Sequence, residues 1–235
     1  RSWVPMASWT VSTHPRLMAE TVQNHAARGY TWMKYHLSPF ENVIDQTEAM
    51  QKVAPPGFKI HYDFTGGGTA DPMPDLLEKL SQFPIAGCFE DAIPPGDVEA
   101  SIDLRRRIRL PIVRHQAPLE TTYEVLMGAG DAYIRGHQKI GVVMRTAGLF
   151  AAGNIPFSIQ NVGGHTTRAM VCHMMAAFPS ATFHFNTDTE IWKDDFVRER
   201  LEPINGHIRV PEAPGLGVTL DRDELERLKK RQLPS

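Results

Sequence analysis

The sequence predicts an α/β protein built as a TIM-type (β/α) barrel. Short apolar runs with strand character alternate with stretches of helical spacing, a pattern typical of parallel strands joined by helices. Eight such strand-like runs occur in 235 residues, and a TIM barrel typically needs about 250 residues. The alternative is an open doubly wound sheet. It is less favoured because the first strand-like run leads into WTVSTHP, without the glycine-rich turn that often follows the first strand of that fold.

The predicted elements follow one another in regular order along the chain. The predicted strands lie at residues 3–9, 31–36, 58–63, 86–90, 110–116, 131–138, 155–160 and 181–186. The predicted helices lie at residues 14–29, 41–53, 71–83, 96–108, 118–130, 141–154 and 165–179. The composition changes near Leu201, where a tail rich in Pro and Gly begins and ends in a charged helix. We therefore expect a catalytic barrel over 1–200 and a segment over 201–235 that packs on the barrel or a lid domain.

Composition and charge narrow the class of protein. A formal net charge of -2 and a hydrophobic fraction of 42% are ordinary for a soluble globular protein and give no charge signature for nucleic acid or membranes. No window approaches the roughly 18 apolar residues of a membrane span, and no signal-peptide pattern is present. Cys88 and Cys172 lie in apolar runs without a CxxC motif, as buried free thiols do. We expect a cytoplasmic protein without nucleic-acid or membrane partners.

Polar residues occupy the C-terminal ends of the predicted strands, spaced 22 to 27 residues apart. They are His36, Asp63, Glu90, His115 with Gln116, His137 and Gln160. In a barrel these ends line one mouth, where catalytic groups cluster. We therefore expect the side chains to converge there.

Asp63 and Glu90, on consecutive strands, are predicted to lie close together. Two neighbouring carboxylates either share a proton or hold a cation, and hard oxygen ligands suit Mg²⁺. Two simpler interpretations stay open. Asp63 is also typical of a turn former before a glycine loop, and Glu90 could pair with an arginine such as Arg114.

The acidic pair, the order of the strand ends and the tail GHIRVPEAPGLGV (206–218) resemble the enolase superfamily, in its mandelate racemase/muconate lactonizing branch. The resemblance covers nearly the whole chain. It matches the family's barrel domain and the segment that returns to the lid domain, so we expect the N-terminal part of that lid to be missing here. RGYTWMKYH (28–36) resembles the family's second barrel strand, which usually carries a Lys-x-Lys pair.

The resemblance implies roles for individual residues. Lys34 and His36 match the lysine pair, whose second member removes the proton α to the substrate carboxylate. Histidine suits this task because imidazole titrates near neutral pH, and Lys34 would help to neutralise the enolate. Asp63 and Glu90 match the first two metal ligands. A simpler interpretation has Lys34 extending to the barrel rim and His36 hydrogen-bonding a loop.

The sequence departs from the family pattern at two places. The third metal ligand, usually a glutamate, falls on Gln116, with His115 as the alternative ligand. The His–Asp dyad of the racemases falls on Gln160 and Gly136, so a two-base racemase is disfavoured. His137 and His165 are candidates for the missing acid, and both are equally consistent with loop histidines. Arg114 and Gln160 are expected to bind substrate.

The resulting prediction is a Mg²⁺-dependent lyase that dehydrates a hydroxylated carboxylic acid, such as an acid sugar, and forms a homo-oligomer. His36 would take the α-proton and a histidine would protonate the departing hydroxyl. Three alternatives stay open. They are a degenerate member that binds a small acid without catalysis, an epimerase or racemase, and an aldolase-like barrel in which Lys34 forms a Schiff base.

Overall fold

The structure, a computed structural model, describes residues 1–66, 73–115, 120–137 and 139–231. Its main feature is a parallel sheet of seven strands, β2 to β8, hydrogen-bonded in chain order. A short antiparallel pair, β1 with β9, lies beside it. The strands are β1 (Trp3–Pro5), β2 (Ser8–Val11), β3 (Trp32–His36), β4 (Lys59–Asp63), β5 (Ala86–Glu90), β6 (Ile112–His115), β7 (Ala132–Gly136), β8 (Phe157–Gln160) and β9 (His207–Arg209).

A helix follows each strand of the parallel sheet. The helices are α1 (Pro15–Ala27), α2 (Val43–Val53), α3 (Met73–Leu80), α4 (Val98–Arg107), α5 (Glu120–Met127), α6 (Ile140–Ala152), α7 (His165–Ala177) and, in the tail, α8 (Arg222–Lys229). Side-chain caps fix several starts: Asn42 accepts from the amide of Ile44 at α2, and Asp97 accepts from the amide of Ala100 at α4. None of the helices in the described ranges has both the length and the apolar character needed to cross a bilayer.

The eighth predicted strand, 181–186, forms isolated bridges instead of a regular strand. Phe185 bridges Met6, and Asn186 bridges Gln160, both in parallel orientation. The amide of Ala7 donates to the Phe185 carbonyl at 2.9 Å, and the Phe185 amide donates to the Pro5 carbonyl at 3.1 Å. The segment therefore lies between β8 and the start of the chain, in the position that closes a barrel. The predicted (β/α) barrel is confirmed.

The first predicted strand, 3–9, divides into two. Residues Ser8–Val11 join the barrel sheet as β2, whereas β1 turns away and pairs with β9 of the tail. The turn that feeds β9 needs glycine at position 206, because its φ is +74° and a Cβ there would lie 2.0 Å from Thr31 Oγ1. Pairing with the tail removes β1 from the sheet, and only the folded chain brings these two segments together.

The apolar core lies between the sheet and the helices, whereas the inside of the barrel is polar near its upper end. Met33, Tyr35, Ile60 and Tyr62 point outward into the apolar core. The alternate residues on the same strands face inward. Strand register places Asp63 beside both His36 and Glu90. Parallel strands in register therefore bring the predicted polar residues to one end.

Candidate active site

Lys34 lies at the centre of the predicted acidic pair. Its Nζ is 3.0 Å from Asp63 Oδ2 and 2.6 Å from Glu90 Oε2. It also donates to Glu90 Oε1 at 2.8 Å and to Gln160 Oε1 at 2.6 Å. All four side chains are at most 3% exposed. The first residue of the KYH strand end is therefore a buried cation held by two carboxylates and an amide, and it does not extend to the rim.

The charges in this cluster determine one another. Burial by itself lowers the pKa of Lys34, but the carboxylates of Glu90 and Asp63 together outweigh burial and raise it. Burial raises the pKa of Glu90, and Lys34 together with the neighbouring histidines brings it well below its usual value. The same balance lowers the pKa of Asp63. Lys34 is therefore a persistent ammonium, which is a poor nucleophile, and a Schiff base at this residue is disfavoured.

His36 is joined directly to the acidic pair. Its Nε2 lies 2.9 Å from Asp63 Oδ2, and its ring packs edge-on against Trp9 with the centroids 5.0 Å apart. About a third of the side chain is exposed. A proton on Nε2 that faces Asp63 leaves the Nδ1 lone pair free as a base. His36 is thus the partly open member of a buried ionic cluster.

Asp63 forms the turn that the sequence allows, and its second oxygen joins the ionic cluster. Its Oδ1 accepts from the amide of Thr65 at 2.8 Å, which makes an Asx-type turn. Thr65 has a φ of +56° in this turn. Its Oδ2 faces Lys34 and His36. The turn therefore fixes the carboxylate that the cluster uses.

His115 occupies space that the racemase pattern assigns to an aspartate. Its Nδ1 lies 3.1 Å from Glu90 Oε1. A Cβ at Gly136, the position matching that aspartate, would be 2.4 Å from His115 Nε2. Gln160, the position matching the dyad histidine, is bound to Lys34. The dyad is therefore not merely deleted, because other side chains fill its positions.

His137 is exposed at the end of β7, whereas His165 is buried and makes its contacts elsewhere. Burial lowers the pKa of His137, and the nearby charges of His115 and Lys34 lower it further. His165 is 1% exposed, and its Nδ1 accepts from the Leu201 amide at 3.0 Å. Burial, with Arg168 nearby, lowers its pKa to about 4. These contacts tie α7 to the tail, so they support a structural role for His165 and do not support the predicted acid.

Arg114 also lies away from the mouth. It is 1% exposed, donates to the Ile93 carbonyl at 2.7 Å and pairs with Glu124 at 3.3 Å. Since side chains alternate along a strand, Arg114 and His115 must face opposite sides of β6. The prediction that Arg114 binds substrate is therefore not supported. Gln160 does lie at the mouth. Gln116, the predicted third metal ligand, falls outside the described residues.

Asp63 and Glu90 are the carboxylates that would hold Mg²⁺ at this mouth. Both approach one point, the Lys34 ammonium, within 3.0 Å, and carboxylate oxygens are the ligands that Mg²⁺ prefers. Glu90 Oε2 is fully buried and receives no hydrogen bond of good geometry, although Lys34 Nζ and His61 Nε2 are close. A buried anionic oxygen in this state has capacity for a cation. His115 fits as a further ligand, since Glu90, Asp91 and His115 offer ligand atoms within 4.8 Å of one another.

The sequence-based prediction did not include His61 and His184. His61 Nε2 lies 2.7 Å from Glu90 Oε2, and His61 Nδ1 lies 2.8 Å from His184 Nε2. His61 precedes Asp63 by two residues, so the i, i+2 rule applied to KYH would have found it in HYD. His184 lies in the predicted eighth strand, and its partner is visible only after the barrel closes.

Two curated proteins are similar to the chain over most of its length. The chain is 28% identical over 189 residues to the D-xylonate dehydratase of Haloferax volcanii, covering 77% of this chain and 44% of that protein. It is 24% identical over 214 residues to the cis-3-hydroxy-L-proline dehydratase of Roseibium aggregatum, covering 87% of this chain and 57% of that protein. The chain spans about half the length of these curated relatives.

Solved structures show the same fold. The 3,6-anhydro-D-galactonate cycloisomerase of Zobellia galactanivorans superposes with a TM-score of 0.82 at 19% identity, covering 97% of this chain and 66% of that one. The dipeptide epimerase of Cytophaga hutchinsonii, solved with Mg and a dipeptide, gives 0.81 at 17% identity, covering 96% and 63%. The family model for "Enolase C-terminal domain-like" proteins matches residues 17–224. With the barrel and the acidic pair in place, the chain belongs to the enolase superfamily, as a C-terminal domain of the mandelate racemase/muconate lactonizing type.

Proposed function

We propose that this protein is the barrel domain of a Mg²⁺-dependent dehydratase that acts on a hydroxylated carboxylic acid of the acid-sugar class. The observation that carries the proposal is the contact of His36 with Asp63, which joins a partly exposed imidazole to a buried pair of carboxylates. Two named relatives are dehydratases, which supports elimination over racemisation. Occupation of the two dyad positions by other contacts also disfavours a second base on the opposite face.

Each residue has one task in the proposed reaction. Asp63 and Glu90 would hold Mg²⁺, which when bound would supply positive charge that lowers the cost of removing an α-proton. His36 accepts that proton. The buried Lys34 ammonium, within 3.0 Å of Asp63 and Glu90, holds the two carboxylates in position. The bond from the β-carbon to its hydroxyl then breaks, and the protonated form of His137, a minor form at neutral pH because its pKa is lowered, gives the departing hydroxyl a proton to form water. The enol product converts to a 2-keto acid.

A calorimetric Mg²⁺ titration tests this proposal, with Asp63→Asn as the variant and Asp75→Asn as the control. Asp75 is an exposed carboxylate paired with Arg107 on the surface, so its replacement removes the same charge away from the mouth. We expect saturable binding by the unmodified protein and Asp75→Asn, and its loss in Asp63→Asn. Acid sugars are then screened with Mg²⁺ for 2-keto acid formation. A folded protein without Mg²⁺ binding would overturn the proposal.

A second candidate is a domain that binds a small acid without turning it over. The observation that favours it is the position of Lys34, which already neutralises both carboxylates without a metal. In that case acids would bind to the chelator-treated protein as tightly as with Mg²⁺, and no keto acid would form.

The cellular setting and the assembly state belong to the same proposal. Both cysteines are free and buried, which supports a reducing compartment such as the cytoplasm. Formation of a homo-oligomer stays a prediction, which sedimentation of the purified protein would test.

A further inference from the structure

A second cluster of metal-binding side chains lies one layer below the mouth, inside the barrel. His61 and Cys88 are direct neighbours on β4 and β5, in the same relation as Asp63 and Glu90 two residues further along each strand. His184 reaches the pair from the segment that closes the barrel. His61 and Cys88 are fully buried, and His184 is 6% exposed.

The donor atoms of this cluster are close enough to share one ion. One ligand atom from each residue lies within 4.8 Å of the others, and His61 Nδ1 is 2.8 Å from His184 Nε2. Two ligands on a tetrahedral Zn²⁺ with bonds of 2.0–2.3 Å are separated by roughly 3.3–3.8 Å. If His61 Nδ1 and His184 Nε2 move apart from 2.8 Å to this separation, one ion fits between them in place of their hydrogen bond.

The surroundings orient His61 for coordination. Its second ring nitrogen, Nε2, lies 2.7 Å from Glu90 Oε2. Histidines that bind metals usually direct their other ring N–H at a carboxylate, which fixes the tautomer and the ring plane. Glu90 lies within reach of Nε2, although their angle does not make a good hydrogen bond, and it links this cluster to the mouth above.

A cavity borders one member of the cluster, His184, at the opposite end of the barrel. This cavity of about 200 Å³ is lined by Trp32, Phe183 and His184 and by residues at the turn before β9. Lys34 does not line this cavity, so the cavity meets His184 on the side away from the acidic pair. The cavity also provides space for the water that completes a site with three protein ligands.

We propose that His61, Cys88 and His184 form a second cation site, which takes Zn²⁺ or a similar soft ion in preference to Mg²⁺. Nitrogen and sulfur ligands select such ions, whereas the oxygens of the mouth select Mg²⁺. Binding releases the thiol proton of Cys88 to solvent, because thiolate is the form that coordinates. The bound ion holds His61 in place and thereby fixes Glu90, so the site stabilises the barrel beneath the acidic pair.

The experiment is a Co²⁺ titration of reduced, chelator-treated protein, followed by absorption. A cobalt–thiolate bond gives charge-transfer absorption in the near ultraviolet, and four-coordinate Co²⁺ gives visible bands. We expect one equivalent to bind with both signals, Zn²⁺ to displace it, and excess Mg²⁺ to leave it in place. Cys88→Ser should lose the charge-transfer band and bind Co²⁺ at least about 100-fold more weakly, since even outer-shell changes cost 10- to 100-fold.

Two variants make the result specific. Cys172→Ser removes the other buried thiol, on α7, and should keep the full spectrum. Asp63→Asn should also keep the full Co²⁺ spectrum, although it should no longer bind Mg²⁺ at the mouth. This variant therefore separates the second site from the proposed activity. If Cys88→Ser does not fold, His184→Asn replaces it, with weakened Co²⁺ binding and no Zn²⁺-induced rise in melting temperature expected. Absence of charge-transfer absorption in the unmodified protein, or its persistence in Cys88→Ser, would overturn the proposal.

Discussion

His115 Nε2 lies where a side chain at Gly136 would begin, because a Cβ at that position would be 2.4 Å from the imidazole nitrogen. β6 and β7 are neighbours in the sheet, so the histidine from one strand covers the end of the next. The absence of a side chain at position 136 is therefore a condition for His115 to contact Glu90.

Gly136→Ala should destabilise the protein by about 1–3 kcal/mol, because an added methyl group in a filled site forces its neighbours to move. His115→Ala combined with it should recover much of this loss, and a double-mutant cycle in urea measures the coupling. Gly141→Ala is the control. No atom lies within 4 Å of a Cβ at that helical glycine, so its change should be neutral or stabilising. Additive effects of the first two changes would contradict the steric interpretation.

Lys34→Met should cost about 3–5 kcal/mol in the absence of metal, because it leaves two buried carboxylates without their cation. The same change should strengthen Mg²⁺ binding, since a competing positive charge leaves the site. The melting temperature measured with and without Mg²⁺ reports both effects. Mg²⁺ should raise the melting temperature of Lys34→Met by more than it raises that of the unmodified protein. Lys52→Met, at an exposed position on α2, should change neither quantity. If Lys34→Met and the unmodified protein are equally stable without metal, Lys34 does not stabilise the buried carboxylates and the prediction is wrong.

His36→Asn should lower turnover of any acid sugar that the protein dehydrates by about 10²- to 10⁴-fold, the usual contribution of a general base. Exchange of the α-proton with deuterated water, followed by NMR, should fall by a similar factor. His137→Asn should retain this exchange while dehydration stops, because its proposed task follows proton removal. His207→Asn, at an exposed position on β9, serves as the control. Undiminished exchange in His36→Asn would exclude it as the base.

His165 should make the protein more sensitive to mild acid. Its pKa is lowered to about 4 in the folded protein, mainly by burial, whereas a histidine in the unfolded chain titrates near about 6.5. Between these values the unfolded state binds more protons, so stability falls as the pH falls from 7 to 5. The linkage relation gives about 1–2 kcal/mol for this group.

His165→Asn keeps an acceptor for the Leu201 amide but does not titrate. Its free energy of unfolding should therefore fall less than that of the unmodified protein over the same pH interval. Urea unfolding at several pH values between 5 and 7 gives this difference, and parallel curves for the two proteins would refute the assignment.

The strand order and the convergence of polar strand ends were predictable from sequence. The i, i+2 alternation in KYH and the spacing of about one βα unit are local properties, and parallel strands in register bring their ends together. The predicted positions of Lys34, His36, Asp63 and Glu90 at one mouth agree with the structure for this reason. Arg114 was expected to bind substrate at the mouth, but its side chain lies on the opposite side of β6 from that of His115. His115 is the neighbour that faces the barrel interior.

The contacts that cross the barrel were not predictable in the same way. No sequence pattern relates His61 to His184, which are 123 residues apart and meet only when the chain closes. The division of the first strand also depends on a tail that returns from the far end of the chain.

The sequence by itself determined which side chains share a face of each strand, because the strand repeat is two residues wherever the strand lies. It also determined the family, through KYH, the acidic pair and the GHIRVPEAPGLGV tail. Only the tertiary structure decided that Lys34 is the cation between Asp63 and Glu90, that His115 fills the space over Gly136, and that His61, Cys88 and His184 meet. These relations depend on side-chain rotamers and on closure of the barrel, and a linear pattern carries no distances across its interior.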